Sequence, residues 1–315
     1  MADYELPDYD ELRSRTDAPG GTAWKVFGAD DEIGTLNLLD QARALAGAAE
    51  VRTGDVFSLN WRVDLPSPNP WRPAPQRTHI AFGNSRDDFL APFYLQYSSQ
   101  WDGLRHIAID EGFYNGVPAS VVDDPSSTRL GVQLWAERGI VGRGVLLDVA
   151  RMQAEAGDPI DPATQYRITP AVLDETVRAQ GLRIERGDIL LVRTGWVGWY
   201  ASLPESRRAE AFHATSPQPG LDPTEEVAAW LWDQHLAAVA ADNLAVECTP
   251  LNMTPGNFLH YRLIPGFGMA LGELFWLDDL AAACAQDRRW SFLFTSAPLN
   301  VPGGVGSPPN ALAVR

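Results

Sequence analysis

The chain has 315 residues, 45% hydrophobic and 21% charged, which is ordinary for a soluble globular protein and excludes a mainly disordered chain. Its 25 basic and 41 acidic side chains give a net charge of −16, so nucleic acid and anionic membranes are poor partners. Two cysteines, Cys248 and Cys284, exclude a disulfide scaffold and a Cys-x-x-Cys zinc site, and no apolar run approaches the ~18–20 residues of a membrane span.

Residues 1–50 read as an N-terminal arm plus one helix. The start, Met1-Ala2-Asp3-Tyr4-Glu5, is acidic with no apolar leader, so the expected location is the cytoplasm. Pro7, Pro19, Gly20 and Gly21 interrupt the arm, and an Ala/Leu-rich helix follows from Leu39 to Ala49 with Asp40 as its cap. A strand is expected over Val56–Val63 from its β-branched and aromatic content. Residues 64–78 hold five prolines (66, 68, 70, 73 and 75), which forbids regular structure and marks a loop of functional interest.

Further strands are expected at Phe93–Tyr97, Gly144–Val149, Ile189–Arg193, Ala237–Ala241 and Phe292–Thr295. Thr169 and Pro170 open a helix that ends before Gly181. Asp222-Pro223-Thr224-Glu225 reads as a capping box for a helix to about His235, and a third helix spans Leu277 to Gln286. Strands alternating with helices indicate an α/β fold. We expect one structural domain, with residues 51–300 as its body and 301–315 as a Gly/Pro-rich tail. The tail's Gly303-Gly304-Val305-Gly306 lacks the lysine and helix of a phosphate loop.

There is no Gly-x-Ser-x-Gly elbow, no His-Glu-x-x-His, no P-loop and no dinucleotide fingerprint. The five histidines are His79, His106, His213, His235 and His260. The densest polar segment runs from Gln96 through Gln100 and Asp102 to His106. Alternation in an extended chain would put Gln96, Ser98, Gln100 and Asp102 on one side. A polar strand edge with a surface histidine is the competing interpretation. A second cluster sets His260 and Glu273 on either side of a Gly/Pro turn in apolar sequence, where an ionised glutamate needs a partner or a metal. A helix cap is the alternative role for that glutamate.

Together these segments resemble the cyclase family, the metal-dependent hydrolases that include bacterial kynurenine formamidase and isatin hydrolase. The family's His-x-Gly-Thr-His-x-Asp-x-Pro-x-His frame falls on Gln96-Tyr97-Ser98-Ser99-Gln100-Trp101-Asp102-Gly103-Leu104-Arg105-His106. The segments Gly142–Asp148 and Gly187–Trp196, with Thr194-Gly195-Trp196, add to it, as do His260 and Glu273. The resemblance covers roughly residues 50–300. It implies a single-domain, swivelling β/β/α-like fold with a mixed central sheet or barrel flanked by helices.

It also implies roles. His106 falls on the family's catalytic base, and His260 is a second catalytic candidate. Gln96, Gln100, Asp102 and Glu273 fall on or beside the metal positions. Both early imidazoles are replaced by glutamine, a weaker zinc ligand, so an oxygen-rich site for Mn²⁺ or another hard ion, a zinc site, or no metal at all stay open. The expected reaction is hydrolysis of an amide, formamide, lactone or lactam. A metal-free acid/base enzyme and a non-catalytic binding protein are the alternatives. The chain has 11 Trp, 12 Phe and 8 Tyr, most of them expected in the core. The resemblance makes Tyr97, Trp101, Phe113 and Trp196 candidates for lining a pocket for an aromatic or apolar small molecule. It further implies a homodimer or homotetramer. His79, His213 and His235 are expected on the surface, and Cys248 and Cys284 buried and inert.

Overall fold

The computed structural model describes residues 4–213 and 215–315. Met1 to Asp3, the start of the expected arm, lie outside the described residues, as does Ala214. Among the described residues thirteen strands are formed: β1 (Val56–Ser58), β2 (Gln76–Phe82), β3 (Ser85–Ala91), β4 (Gln100–Asp102), β5 (Ile140–Asp148), β6 (Arg167–Ile168), β7 (Ile189–Arg193), β8 (Gly220–Leu221), β9 (Ala238–Ala241), β10 (Ala270–Glu273), β11 (Ser291–Ser296), β12 (Gly306–Ser307) and β13 (Ala311–Val314). Nine of them make one curled mixed sheet in the order β1-β13-β11-β5-β7-β9-β10-β4-β12.

The centre of that sheet follows from its composition. The strands β5, β7, β9 and β10 pair in parallel. Their runs Val145-Leu146-Leu147, Ile189-Leu190-Leu191-Val192 and Ala238-Val239-Ala240-Ala241 are buried on both faces, as a parallel sheet covered by helices requires. The Pro170–Gln180 helix between β5 and β7 begins where Thr169 accepts a hydrogen bond from the Val172 amide, and it ends at Gly181. The Glu225–Asp233 helix lies between β7 and β9. Its cap is Thr224, which accepts from Val227, while Asp222 is drawn into an ion pair with Arg167 at 2.6 Å. The Gln41–Ala49 helix is capped by Asp40, and the Asp278–Asp287 helix precedes β11.

Several expected elements differ. The strand expected at 56–63 stops at Ser58. Phe93–Tyr97 is irregular, and the strand begins beyond it, at Gln100–Asp102. The proline loop ends at Gln76, where β2 and β3 form an exposed hairpin that carries His79. The expected tail supplies β12 against β4 and β13 between β1 and β11. Tyr9–Ser14, within the expected arm, forms a short helix with a capping box between Asp8 and Glu11.

Candidate active site

Register builds the floor of the site. In the antiparallel β4–β10 pair, Gln100 faces Glu273 and Asp102 faces Leu271, so both carboxyl groups and the Gln100 amide project to one side of the sheet. Trp101 alternates to the other side. There it is fully buried against Phe275 and Phe294, with ring centroids 5.1 and 6.3 Å away, and its indole N–H donates to Ser296 at 2.9 Å. Gly272 makes room for it, since a Cβ there would lie 2.9 Å from the Trp101 ring. Trp101 is thus a core residue, because the same alternation that presents Asp102 turns its neighbour inward.

Gln96 reaches the same place from the loop before β4. Its amide nitrogen donates to Asp102 Oδ1 and lies 3.2 Å from His106 Nδ1. The approach needs Gly306 of β12, where a Cβ would sit 2.7 Å from Gln96 Cγ and from the Trp101 carbonyl. Gln100 Nε2 donates to Asp102 Oδ1 at 3.2 Å and to Glu273 Oε2 at 2.6 Å. His106, in the turn after β4, places Nε2 3.7 Å from Asp102 Oδ2, and its side chain is 27% exposed. It is the most open titratable group of the cluster.

His260 comes from the other end of the chain, on the short Leu259–Tyr261 helix before β10. Its Nε2 lies 3.2 Å from Glu273 Oε1 and 3.8 Å from Asp102 Oδ2. Glu247, which sequence reasoning missed, holds it there. This buried carboxylate accepts from the Leu259 and His260 amides and meets His260 Nδ1 at 2.6 Å. The Phe258 ring stacks on the imidazole at 4.5 Å. A buried acid in the apolar run Ala245-Val246-Glu247-Cys248 carries the same signal that singled out Glu273. Arg72, also missed, enters from the proline loop and donates to the Gln96 carbonyl.

The electrostatics are strained toward a cation. Burial raises the Glu273 carboxyl to about 7, helped by Asp102 and opposed by His260. Burial alone would depress His260, but its hydrogen bonds to Glu247 and Glu273 outweigh that and push it up to about 10. Asp102 Oδ2 is buried with no hydrogen-bond partner. That open oxygen, Glu273 Oε1 and His260 Nε2 lie within 4.8 Å of one another, so the three residues could hold a metal ion. The Glu247–His260 contact is the carboxylate–imidazole support that metal-binding histidines use. The residues therefore fit a divalent ion.

The remaining aromatic candidates are packed into the interior. Tyr97 is buried, with its hydroxyl on the Pro66 carbonyl at 2.8 Å. Trp196 is fully buried against Tyr200 and Phe212. Phe113 is half-buried and packs on the main core. All three were candidates for the pocket wall, and their packing explains where they sit: large rings fill the core first. The Thr194-Gly195 turn has a structural task, since both amides and the threonine hydroxyl donate to buried Asp242 at 2.6–2.8 Å. His213 is exposed, whereas His235 is half-buried at a helix end, where desolvation lowers its pKa. Burial raises Cys248 and Cys284 to about 11 and 12, consistent with inert thiols.

The Cyclase family model matches residues 61–248. A crystal structure of a novel cyclase is 34% identical, covers 93% of this chain and 99% of its own, and superposes with a TM-score of 0.84. The chain belongs to the cyclase family. Isatin hydrolase A from Labrenzia aggregata, bound to benzyl benzoate, shares the fold at 18% identity, covering 84% of this chain and 94% of its own, with a TM-score of 0.55. A predicted metal-dependent hydrolase from Bacillus stearothermophilus does so at 16% identity, covering 83% and 98%, with a TM-score of 0.52. No curated protein matches in sequence. Among the described residues of this cyclase-family chain, no helix is long and apolar enough to cross a membrane.

Proposed function

We propose that this chain is a hydrolase that opens an amide, formamide, lactone or lactam bond in a small aromatic or apolar molecule. One observation carries the reading: a part-exposed imidazole, His106, stands at the rim of a buried Asp102–His260–Glu273 group that has one unsatisfied carboxylate oxygen. Asp102, Glu273 and His260 would hold a divalent ion, with Gln96 and Gln100 beside it. Two carboxylate oxygens and one imidazole nitrogen are a donor set that suits Mn²⁺. Such an ion polarises a carbonyl and acidifies water.

The remaining steps belong to the chain. His106 takes a proton from the attacking water and returns it to the departing nitrogen or oxygen. Asp102 Oδ2 lies 3.7 Å from His106 Nε2 and sets the imidazole beside the buried group. Glu247 fixes the His260 ring. An assembly of two or four copies is part of the proposal, and light scattering on the purified protein tests it.

A second reading has its own support. The Gln96 and Gln100 amides already satisfy Asp102 Oδ1 and Glu273 Oε2, and His260 is held as a cation. A cluster neutralised this way would run metal-free acid/base chemistry. Calorimetric titration with MnCl₂ and ZnCl₂, beside a panel of formamides, lactones and imides, separates the two. The hydrolase reading expects Mn²⁺ binding and turnover, with kcat lowered about 10²–10⁴-fold in His106→Asn. Turnover in His106→Asn equal to wild type would sink it.

A further inference from the structure

The proline loop that delivers Arg72 is pinned along its length. Tyr97 and Tyr200 donate their hydroxyls to the Pro66 and Ser67 carbonyls at 2.8 and 3.0 Å. The Trp71 ring meets Phe212 edge-on at 5.4 Å. Asn69 Oδ1 accepts from the Trp71 and Arg72 amides, each at 3.0 Å, and so fixes the backbone at Arg72 itself.

The guanidinium thus held is underused. It is half-buried and donates through Nη1 to the Gln96 carbonyl. Among the described residues no carboxylate forms an ion pair with it, and a guanidinium has five N–H donors in a planar fork. Through the Gln96 carbonyl it is anchored on the residue whose side-chain amide contacts Asp102, so it stands next to the cluster. A preorganised fork without a carboxylate, beside a buried reaction centre, matches a planar anion in shape and charge.

We infer that Arg72 binds a carboxylate on the small molecule that occupies the Asp102–His260–Glu273 site. The inference builds on the proposed hydrolysis, which makes such a group. In the ring-opening case His106 takes one proton from the water that adds to the ring carbonyl, the carbon–nitrogen or carbon–oxygen bond breaks, the leaving atom takes that proton from His106, and the new carboxylic acid releases its other proton to solvent as a carboxylate.

The test compares phenylglyoxylate with its neutral amide by calorimetry on the full chain, with and without MnCl₂. Wild type should prefer the acid on the order of 10- to 100-fold, the usual range for a charged hydrogen-bonded pair. Arg72→Gln should erase that preference and Arg72→Lys should keep part of it, as a point charge without the fork; thermal melts of both variants check folding. A preference that survives in Arg72→Gln, or is missing from wild type, overturns the inference. The hydrolysis panel is read in parallel. An Arg72-dependent preference with no wild-type turnover retires the hydrolase reading and leaves the binding role standing. Turnover with an Arg72-independent preference does the reverse.

Discussion

Glu247 meets His260 on the Nδ1 side of its ring, away from Asp102 and Glu273, and sets the behaviour of that residue. Its carboxylate orients the ring and contributes to the rise of its pKa to about 10. At neutral pH His260 therefore carries a proton on the nitrogen that faces Asp102 and Glu273, and a metal must displace it. The sign follows directly: Mn²⁺ affinity should increase as pH rises from 6.5 to 8.5, with proton release in the calorimeter that varies with buffer ionisation heat. Flat affinity over that range would contradict the assignment. Glu247→Gln should weaken Mn²⁺ binding by about 10- to 100-fold, the usual effect of losing such a support. Affinity equal to wild type in that variant would mean the ring is oriented by packing on Phe258 alone.

Among the elements, β12 has two residues and holds the site together out of proportion to its length. Gly306 lies against β4 and leaves the gap through which Gln96 reaches Asp102. Gly306→Val should expel Gln96, lower thermal stability and weaken ligand binding, whereas Val305→Ala, at a part-exposed neighbour, should do little. Equal melting temperatures for the two variants would show that the strand yields freely. The turn after β7 gives a pH prediction. Burial raises the Asp242 carboxyl to about 6, against the opposing pull of Arg193 and Thr194. A raised pKa means that the folded form binds the proton more tightly. Asp242 therefore stabilises below about pH 4, and that contribution fades as pH climbs through 6, by roughly 2–3 kcal/mol. Urea unfolding at pH 4, 5 and 6.5 should show the gap between wild type and Asp242→Asn shrinking with pH. Parallel profiles would refute it.

For the molecule as a whole, the sequence was most legible where local chemistry and packing agree. Thr169, Pro170 and Gly181 bracket their helix, and Ile189–Arg193 is a strand because an apolar run of that length fits a covered parallel sheet. Legibility failed at β4, where three residues point two polar side chains inward and no apolar alternation marks the strand. It failed at β13 as well, since Ala311–Val314 is too short to stand out and gains its place from partners far along the chain. The residues of the site were legible through the family frame. Their convergence with Glu247 and Arg72 was not, because it depends on register and on loops that no local pattern encodes.

The β2–β3 hairpin is almost wholly exposed, with Phe82 and Phe89 facing outward at 62% and 49%. Two strands without a covering layer are marginal in water, so this arm should open far more often than the sheet beneath it. Its backbone amides should exchange with deuterium within the first time points, while those of β7 and β9 persist. A trace of protease should cut near the Gly83 turn before anywhere else. The two fragments should then elute as one particle, because β1 before the cut and β4 after it are strands of the same sheet.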